Sequence, residues 1–158
     1  MKSGKVLDLI AAIAPHTLSN ATVGLFHSTR NVRDDNIESR SGVKALAKKV
    51  SRLSDIPDAF DVIGIDEIHM FTKIEAREVE KWLNKGINVH LSGLDLDYRG
   101  KLIPIIARLL ELKPDKITIK QAVCENCKNY KAIYTQILHH NKPVTKGLLS
   151  VVPENGTY

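Results

Sequence analysis

Aromatic residues are scarce: Phe, Trp and Tyr make up 5% of the 158 residues. Platforms that stack the bases of single-stranded nucleic acid are built from such side chains, so none is expected here. Charge of one sign is not concentrated either. The chain has 23 Lys+Arg against 18 Asp+Glu, a net charge of +5, with acids interspersed among the bases. A nucleic-acid surface gathers its basic residues on one helix or face, so no nucleic-acid partner is expected. A mild positive balance does suit a pocket for phosphorylated ligands. No apolar run approaches the roughly 18–20 residues needed to span a bilayer, so no membrane partner is expected. Residues 6–14 are apolar, but Asp8 interrupts them and no small-residue cleavage site follows, so a signal peptide is not indicated. Cysteine is limited to Cys124 and Cys127. Two do not make a disulfide framework, and with nothing secretory in view a reduced, cytoplasmic setting is expected. Repeats and low-complexity segments are lacking. What is present, 43% hydrophobic and 26% charged residues, is the composition of a globular domain with one core and room for a small appendage.

Two kinds of segment alternate along the chain. Residues 4–14 place Val6, Leu9, Ile10 and Ile13 at helical spacing, with Pro15 as the stop. Residues 21–28 read as a short buried strand. Residues 41–50 read as helix, with Ser41 at the N-cap. Residues 60–66, FDVIGID, form an apolar strand ending in acids. Residues 72–85 predict an amphipathic helix with Ile74, Val79, Trp82 and Leu83 inward and Gly86 as its end. Residues 87–94 predict a strand, residues 102–112 a helix broken at Pro114, and residues 116–123, KITIKQAV, an alternating strand. This order argues for an α/β parallel sheet with helices on both faces. After Val123 the chain reads as short strands and loops, which places a boundary there: residues 1–123 form the α/β domain and residues 124–158 a subdomain.

Four constellations carry chemistry. Ser3-Gly4-Lys5 opens the first helix and matches the end of a phosphate loop, where backbone N–H groups and a Lys cradle phosphates. Taken alone, it also fits a solvated N-terminus. Asp66-Glu67 ends an apolar strand, the place where parallel sheets gather functional side chains. An Asp there can serve Mg2+ and a Glu can serve as general base; two acids capping a turn is the plainer reading. Residues 93–104 carry Asp95, Asp97, Tyr98 and Arg99 in what also fits a polar loop. Cys124 and Cys127 form a CxxC, half of a tetrahedral zinc site. His139 and His140 follow, and a Cys2His2 arrangement with them is conceivable, but in so polar a stretch solvated loop is the better reading. His16, His27 and His90 are read as structural or surface residues.

The order and spacing of these segments identify more than any one of them does. SGK opening a helix, SRSG at 39–42, GIDEIHMF at 64–71, SGLDLDYRG at 92–100, AVCENC at 122–127 and VVPENGTY at 151–158 together resemble the zinc-containing thymidine kinases of bacteria, viruses and animal cytosol. The resemblance covers nearly the whole chain. It implies a P-loop (RecA-like) parallel sheet with helices on both faces, plus a small C-terminal zinc-ribbon and lasso subdomain. It implies transfer of the γ-phosphoryl group of ATP to the 5′-hydroxyl of thymidine or deoxyuridine, with Mg2+, and a structural Zn2+. Glu67 then matches the catalytic base. Ser3, Gly4 and Lys5 match the phosphate loop, Asp66 the acid that holds Mg2+ through water, and Arg33 an Arg that meets the phosphates. Asn31 falls where the family has an acid near the nucleoside. Substrate contacts are implied for Met1, Met70, Leu94, Tyr98, Ile103, Thr135, Val151, Val152 and Tyr158, and metal ligation for Cys124 and Cys127. A homotetramer or other homo-oligomer is implied as well.

Departures from the family pattern set further expectations. The family's strand before the phosphate loop and the loop's first Gly are missing, and the chain stops before the second pair of zinc ligands, so it is expected to be clipped at both ends. Val6 stands where a Mg2+-binding hydroxyl is usual, and Met70 and Ile103 stand where aromatics are usual. The alternative these raise is a family member that binds nucleotide or nucleoside without turnover.

Overall fold

The computed structural model describes residues 3–31, 37–38, 42–124, 127–133, 135, 138–139 and 142–143. The chain enters through helix α1, Lys5–Thr17, whose buried stripe is Leu9 and Ile13, one turn apart. The helix continues two residues past Pro15, the expected stop. Proline there forfeits one helical hydrogen bond, the helix ends within two residues, and Leu18 N–H closes it on the carbonyls of Pro15 and His16.

Strand β1 (Val23–Ser28) follows, then β2 (Ile37–Glu38), β3 (Lys44–Ala45) and β4 (Lys48–Val50). The helix expected over residues 41–50 is therefore overturned across residues 44–50. There β3 pairs antiparallel with β2, and β4 pairs parallel with β1, Phe26 opposite Lys48 and Ser28 opposite Val50. The ladder buries Val50 and leaves Leu46 in solvent; pairing and burial override a modest helical preference.

Strand β5 (Val62–Asp66) is buried along its whole length. Helix α2 (Ala76–Asn84) is led in by a tight turn, Lys73–Glu75. The Glu75 carboxylate accepts the Thr72 N–H at 2.7 Å and its hydroxyl at 2.8 Å. That turn leaves Ile74 outside the helix. Ala76, Val79 and Trp82 face inward, whereas Ile74 and Leu83, expected inside, are 65% and 44% exposed. Gly86 ends the helix at φ 77°, a left-handed conformation that suits glycine. Strand β6 (Asn88–Leu91) and helix α3 (Pro104–Glu111), with proline in its first turn, complete the described α/β core.

Beyond α3 come the antiparallel pairs β7 (Ala122–Val123) with β8 (Tyr130–Ala132), and β9 (Leu138–His139) with β10 (Lys142–Pro143). The strand expected over residues 116–123 forms only at Ala122–Val123. Residues 116–121 join no ladder among the described residues, and Ile117 and Ile119 are exposed. Alternation makes a strand only where a neighbour supplies pairing and a surface to cover.

The sheet order is β4-β1-β5-β6, and every pairing in it is parallel. From β1 the chain passes to one neighbour and then returns to the other side, so the order reverses between β1 and β5. The crevice outside the carboxyl ends of those strands is where open α/β sheets place ligands. Helices cover both faces. A Cβ on Gly64 would lie 2.2 Å from Ile13 Cδ1, so α1 sits on that face of β5. Ile63 and Ile65 point the other way, into an apolar cluster with Val79, Trp82, Ile105 and Leu109 from α2 and α3. Among the described residues no helix is long and apolar enough to cross a membrane.

Candidate active site

Helix α1 covers β5 and is followed directly by β1, so its N-terminus lies over the carboxyl ends of the strands. Lys5 is its first residue, and Gly4 before it adopts φ 75°. Strand β5 ends at Asp66, paired in register with His27 of β1. Lys5 Nζ lies 3.3 Å from Asp66 Oδ1 and 2.5 Å from Glu67 Oε1. Sixty-one residues of chain separate Lys5 from Asp66; the packing of α1 on Gly64 brings them together.

The three charges sit in a largely covered place: Asp66 is 5% exposed and the Lys5 side chain 15%. Burial alone would push the Lys5 pKa down, but the Glu67 and Asp66 carboxylates outweigh it and hold it above the ordinary lysine value. The desolvation of buried ion pairs commonly cancels most of their attraction, so this cluster is a poor device for stability. Opposite charges converging on a perturbed lysine in a crevice are instead the mark of a functional site.

Glu67 has φ 54° and ψ 39°, left-handed backbone in a residue with a Cβ. Such a conformation costs roughly 1–3 kcal/mol and persists only where the surroundings impose it. Here Ile68 N–H is held by the Ser92 carbonyl at 2.9 Å, and Met70 N–H by the Glu67 carbonyl at 2.9 Å. A tight turn, Ile68–Met70, follows. His69 within it is 4% exposed; its Nδ1 accepts the Leu94 N–H at 3.3 Å and lies 3.3 Å from Glu67 Oε2. Burial lowers the His69 pKa below the ordinary histidine value, the two carboxylates opposing the effect and Lys5 adding to it. Gly93 makes the approach feasible, since a Cβ there would meet Ile68 Cγ2 at 2.9 Å and His69 Nδ1 at 3.3 Å.

The remaining candidates divide. Met70 is half-buried, and its carbonyl accepts Arg30 Nη1 at 2.8 Å. Leu94 packs against the apolar cluster, and Ile103 is buried within it. Tyr98 is buried with the Arg99 guanidinium 5.4 Å from its ring centroid. Asp97 organises that loop: Oδ1 accepts the N–H groups of Arg99 and Lys101 at 2.8 and 2.9 Å, and Oδ2 accepts Arg99 Nη2 at 2.9 Å. Desolvation opposes its charge, but these donors hold its pKa below the usual carboxylate range. Asn31 Nδ2 lies 3.4 Å from His27 Nδ1. Ser3 is half-buried beside Gly4, and Thr135 is half-buried among the short strands. Cys124 and Cys127 stand at the β7–β8 turn, where Cys124 N–H donates to the Asn129 carbonyl at 2.9 Å. Groups of three or more metal-binding side chains do not occur among the described residues. Met1, Arg33, Val151, Val152 and Tyr158 lie outside the described residues.

Sequence reasoning passes over His69, Arg30 and Ser92. His27, read as structural or surface, is fully buried at the carboxyl end of β1. The available signal is position: each follows or ends a core strand on the crevice side.

A family model described as thymidine kinase matches residues 1–147. The chain belongs to the thymidine kinase family. It is similar to a thymidine kinase of Chloroflexus aurantiacus, 30% identical over 96% of this chain and 82% of that protein. A thymidine kinase of Mycoplasma mobile is 33% identical over 82% of this chain and 67% of its own length. One from Thermococcus kodakarensis is 28% identical over 92% of this chain and 79% of its own. As a thymidine kinase family member the chain is a kinase enzyme, and the Lys5–Asp66–Glu67 convergence lies within the matched residues.

Proposed function

We propose that this protein transfers the γ-phosphoryl group of ATP to the 5′-hydroxyl of thymidine, and of deoxyuridine, giving the nucleoside monophosphate. The supporting observation is the meeting of Lys5 with Asp66 and Glu67 at the N-terminus of α1. Phosphoryl transfer needs positioning and charge stabilisation more than covalent chemistry. The first N–H groups of α1, with Ser3 and Gly4, suit phosphate oxygens. Lys5 exchanges the Glu67 carboxylate for phosphate when nucleotide arrives, which frees Glu67 to accept the hydroxyl proton. Arg33 adds charge to the phosphates. Met1, Met70, Leu94, Tyr98, Ile103, Thr135, Val151, Val152 and Tyr158 surround the nucleoside, and water exclusion there favours sugar over solvent as acceptor.

A strand-terminal carboxylate together with substrate phosphates is a donor set that fits Mg2+. Asp66 would hold that ion, which supplies charge neutralisation between the phosphates. Cys124 and Cys127 would supply two thiolates to a structural Zn2+, whose tetrahedral shell needs two more ligands. In this reading residues 1–123 are a P-loop (RecA-like) domain and residues 124–158 a zinc-ribbon and lasso subdomain. The enzyme works in the cytoplasm as a homo-oligomer.

Purified protein incubated with ATP, Mg2+ and thymidine should yield thymidine monophosphate by chromatography. Folded protein that yields none overturns the reading. Calorimetric binding of ATP or thymidine without product points instead to a binding member of the family, the reading that Val6 in place of a hydroxyl favours.

A further inference from the structure

His69 is an expensive way to fill space. Its ring is 4% exposed, and Nε2 is buried with no hydrogen-bond partner among the described residues. An unpartnered polar group in such a place is destabilising, a cost that a leucine would avoid. The ring's contacts are concentrated on Nδ1. That atom accepts the Leu94 N–H at 3.3 Å, which places the ring proton on Nε2, and it lies 3.3 Å from Glu67 Oε2. Ile68 N–H to the Ser92 carbonyl, at 2.9 Å, fastens the same two segments a residue away. Gly93, between Ser92 and Leu94, has no side chain to hold the loop off the ring.

We propose that His69 is a positioning residue for Glu67: its ring, held to the loop after β6 by the Leu94 N–H, walls one side of the Glu67 carboxylate. This rests on the reading of Glu67 as the general base. The geometry gives the wall a direction. With its lone pair taken by the Leu94 N–H, Nδ1 has no proton to give Glu67 Oε2 at 3.3 Å, so the ring limits where that oxygen can lie without hydrogen-bonding it, while Lys5 holds Oε1. Once Lys5 turns to phosphate, the ring does not hold the carboxylate back, and it swings toward the substrate hydroxyl.

The test compares wild type, His69→Gln and His69→Leu for kcat, for KM of thymidine and ATP, and for melting temperature. A glutamine can accept the Leu94 N–H and still face Glu67; a leucine can do neither. His69→Leu should lose about 10- to 100-fold in kcat, the usual loss when a group that orients a functional side chain is removed. Its KM for thymidine should stay within about 3-fold, and His69→Gln should recover kcat to within about 3-fold of wild type. Equal kcat in His69→Leu and wild type overturns the proposal. So does a loss in both variants that merely follows their melting temperatures. If wild type has no kinase activity, the base assignment fails separately. The Leu94 amide resonance then decides on the ring: a shift in His69→Leu that His69→Gln restores upholds the tie, and an unchanged resonance in His69→Leu overturns it.

Discussion

The two faces of β5 solve different problems with one strand. On one face Ile63 and Ile65 meet Val79, Trp82, Ile105 and Leu109 in an apolar cluster. On the other, Val62, Gly64 and Asp66 run beneath α1, and the row ends in a carboxylate that meets Lys5. The first face is where stability comes from, since apolar burial contributes about 25 cal/mol per Å2. The second face gives up side-chain area at Gly64 and gathers charge at Asp66 and Glu67, then accepts a left-handed backbone at Glu67. Local costs of this kind concentrate at functional sites. The comparison teaches that stability and chemistry are separable here by face, within a strand of five residues.

The separation makes opposite mutational signatures. Glu67→Gln removes the charge that accepts the proton and leaves the volume unchanged. It should lower kcat by about 100- to 10,000-fold, the span of general-base effects, with little change in melting temperature. Trp82→Ala acts from the other face. Trp82 is 0% exposed and its indole N–H donates to Asp58 Oδ1 at 3.2 Å. Its removal should destabilise the fold by about 3–5 kcal/mol, measured by urea unfolding. Below the new midpoint kcat should stay within about 3-fold of wild type. If Trp82→Ala instead loses activity while folded, the two faces are not independent.

Much of this division is legible in the residues themselves. An apolar run ending in acids marks β5, helical spacing marks α1 and α2, and SGK with DE marks the two ends of the ion cluster. The misreadings have a common cause. Residues 48–50 are strand because β1 offers an edge, residues 44–45 because β2 does, and residues 116–121 are not because no described neighbour pairs with them. These outcomes depend on partners elsewhere in the chain. Ile74 falls outside the core because it sits in the tight turn Lys73–Glu75 ahead of α2, and Leu83 lies at the edge of the buried stripe of Ala76, Val79 and Trp82. His69 and His27 look ordinary in the sequence because burial decides whether a histidine is ordinary, and burial is a property of the folded chain. That Lys5 and Glu67 converge follows from their positions; the 2.5 Å contact depends on how α1 lies on Gly64, and the left-handed backbone at Glu67 on the hydrogen bonds of Ile68 and Met70 around it.

Gly64→Ala probes the point where the two faces depend on each other. The added Cβ would lie 2.2 Å from Ile13 Cδ1 and 2.8 Å from Leu25 Cδ1. Both are terminal methyl carbons, so they can rotate away, and the cost should fall near the low end of overpacking, about 1 kcal/mol. Part of the relief comes from α1 lifting off the sheet, and α1 carries Lys5. The expected result is therefore a small loss of stability accompanied by a several-fold rise in KM for ATP, with kcat less affected. A stability loss with unchanged KM would mean that Ile13 and Leu25 absorb the methyl alone. Lys5 would then be positioned by its carboxylate partners and not by the seat of α1 on the strand.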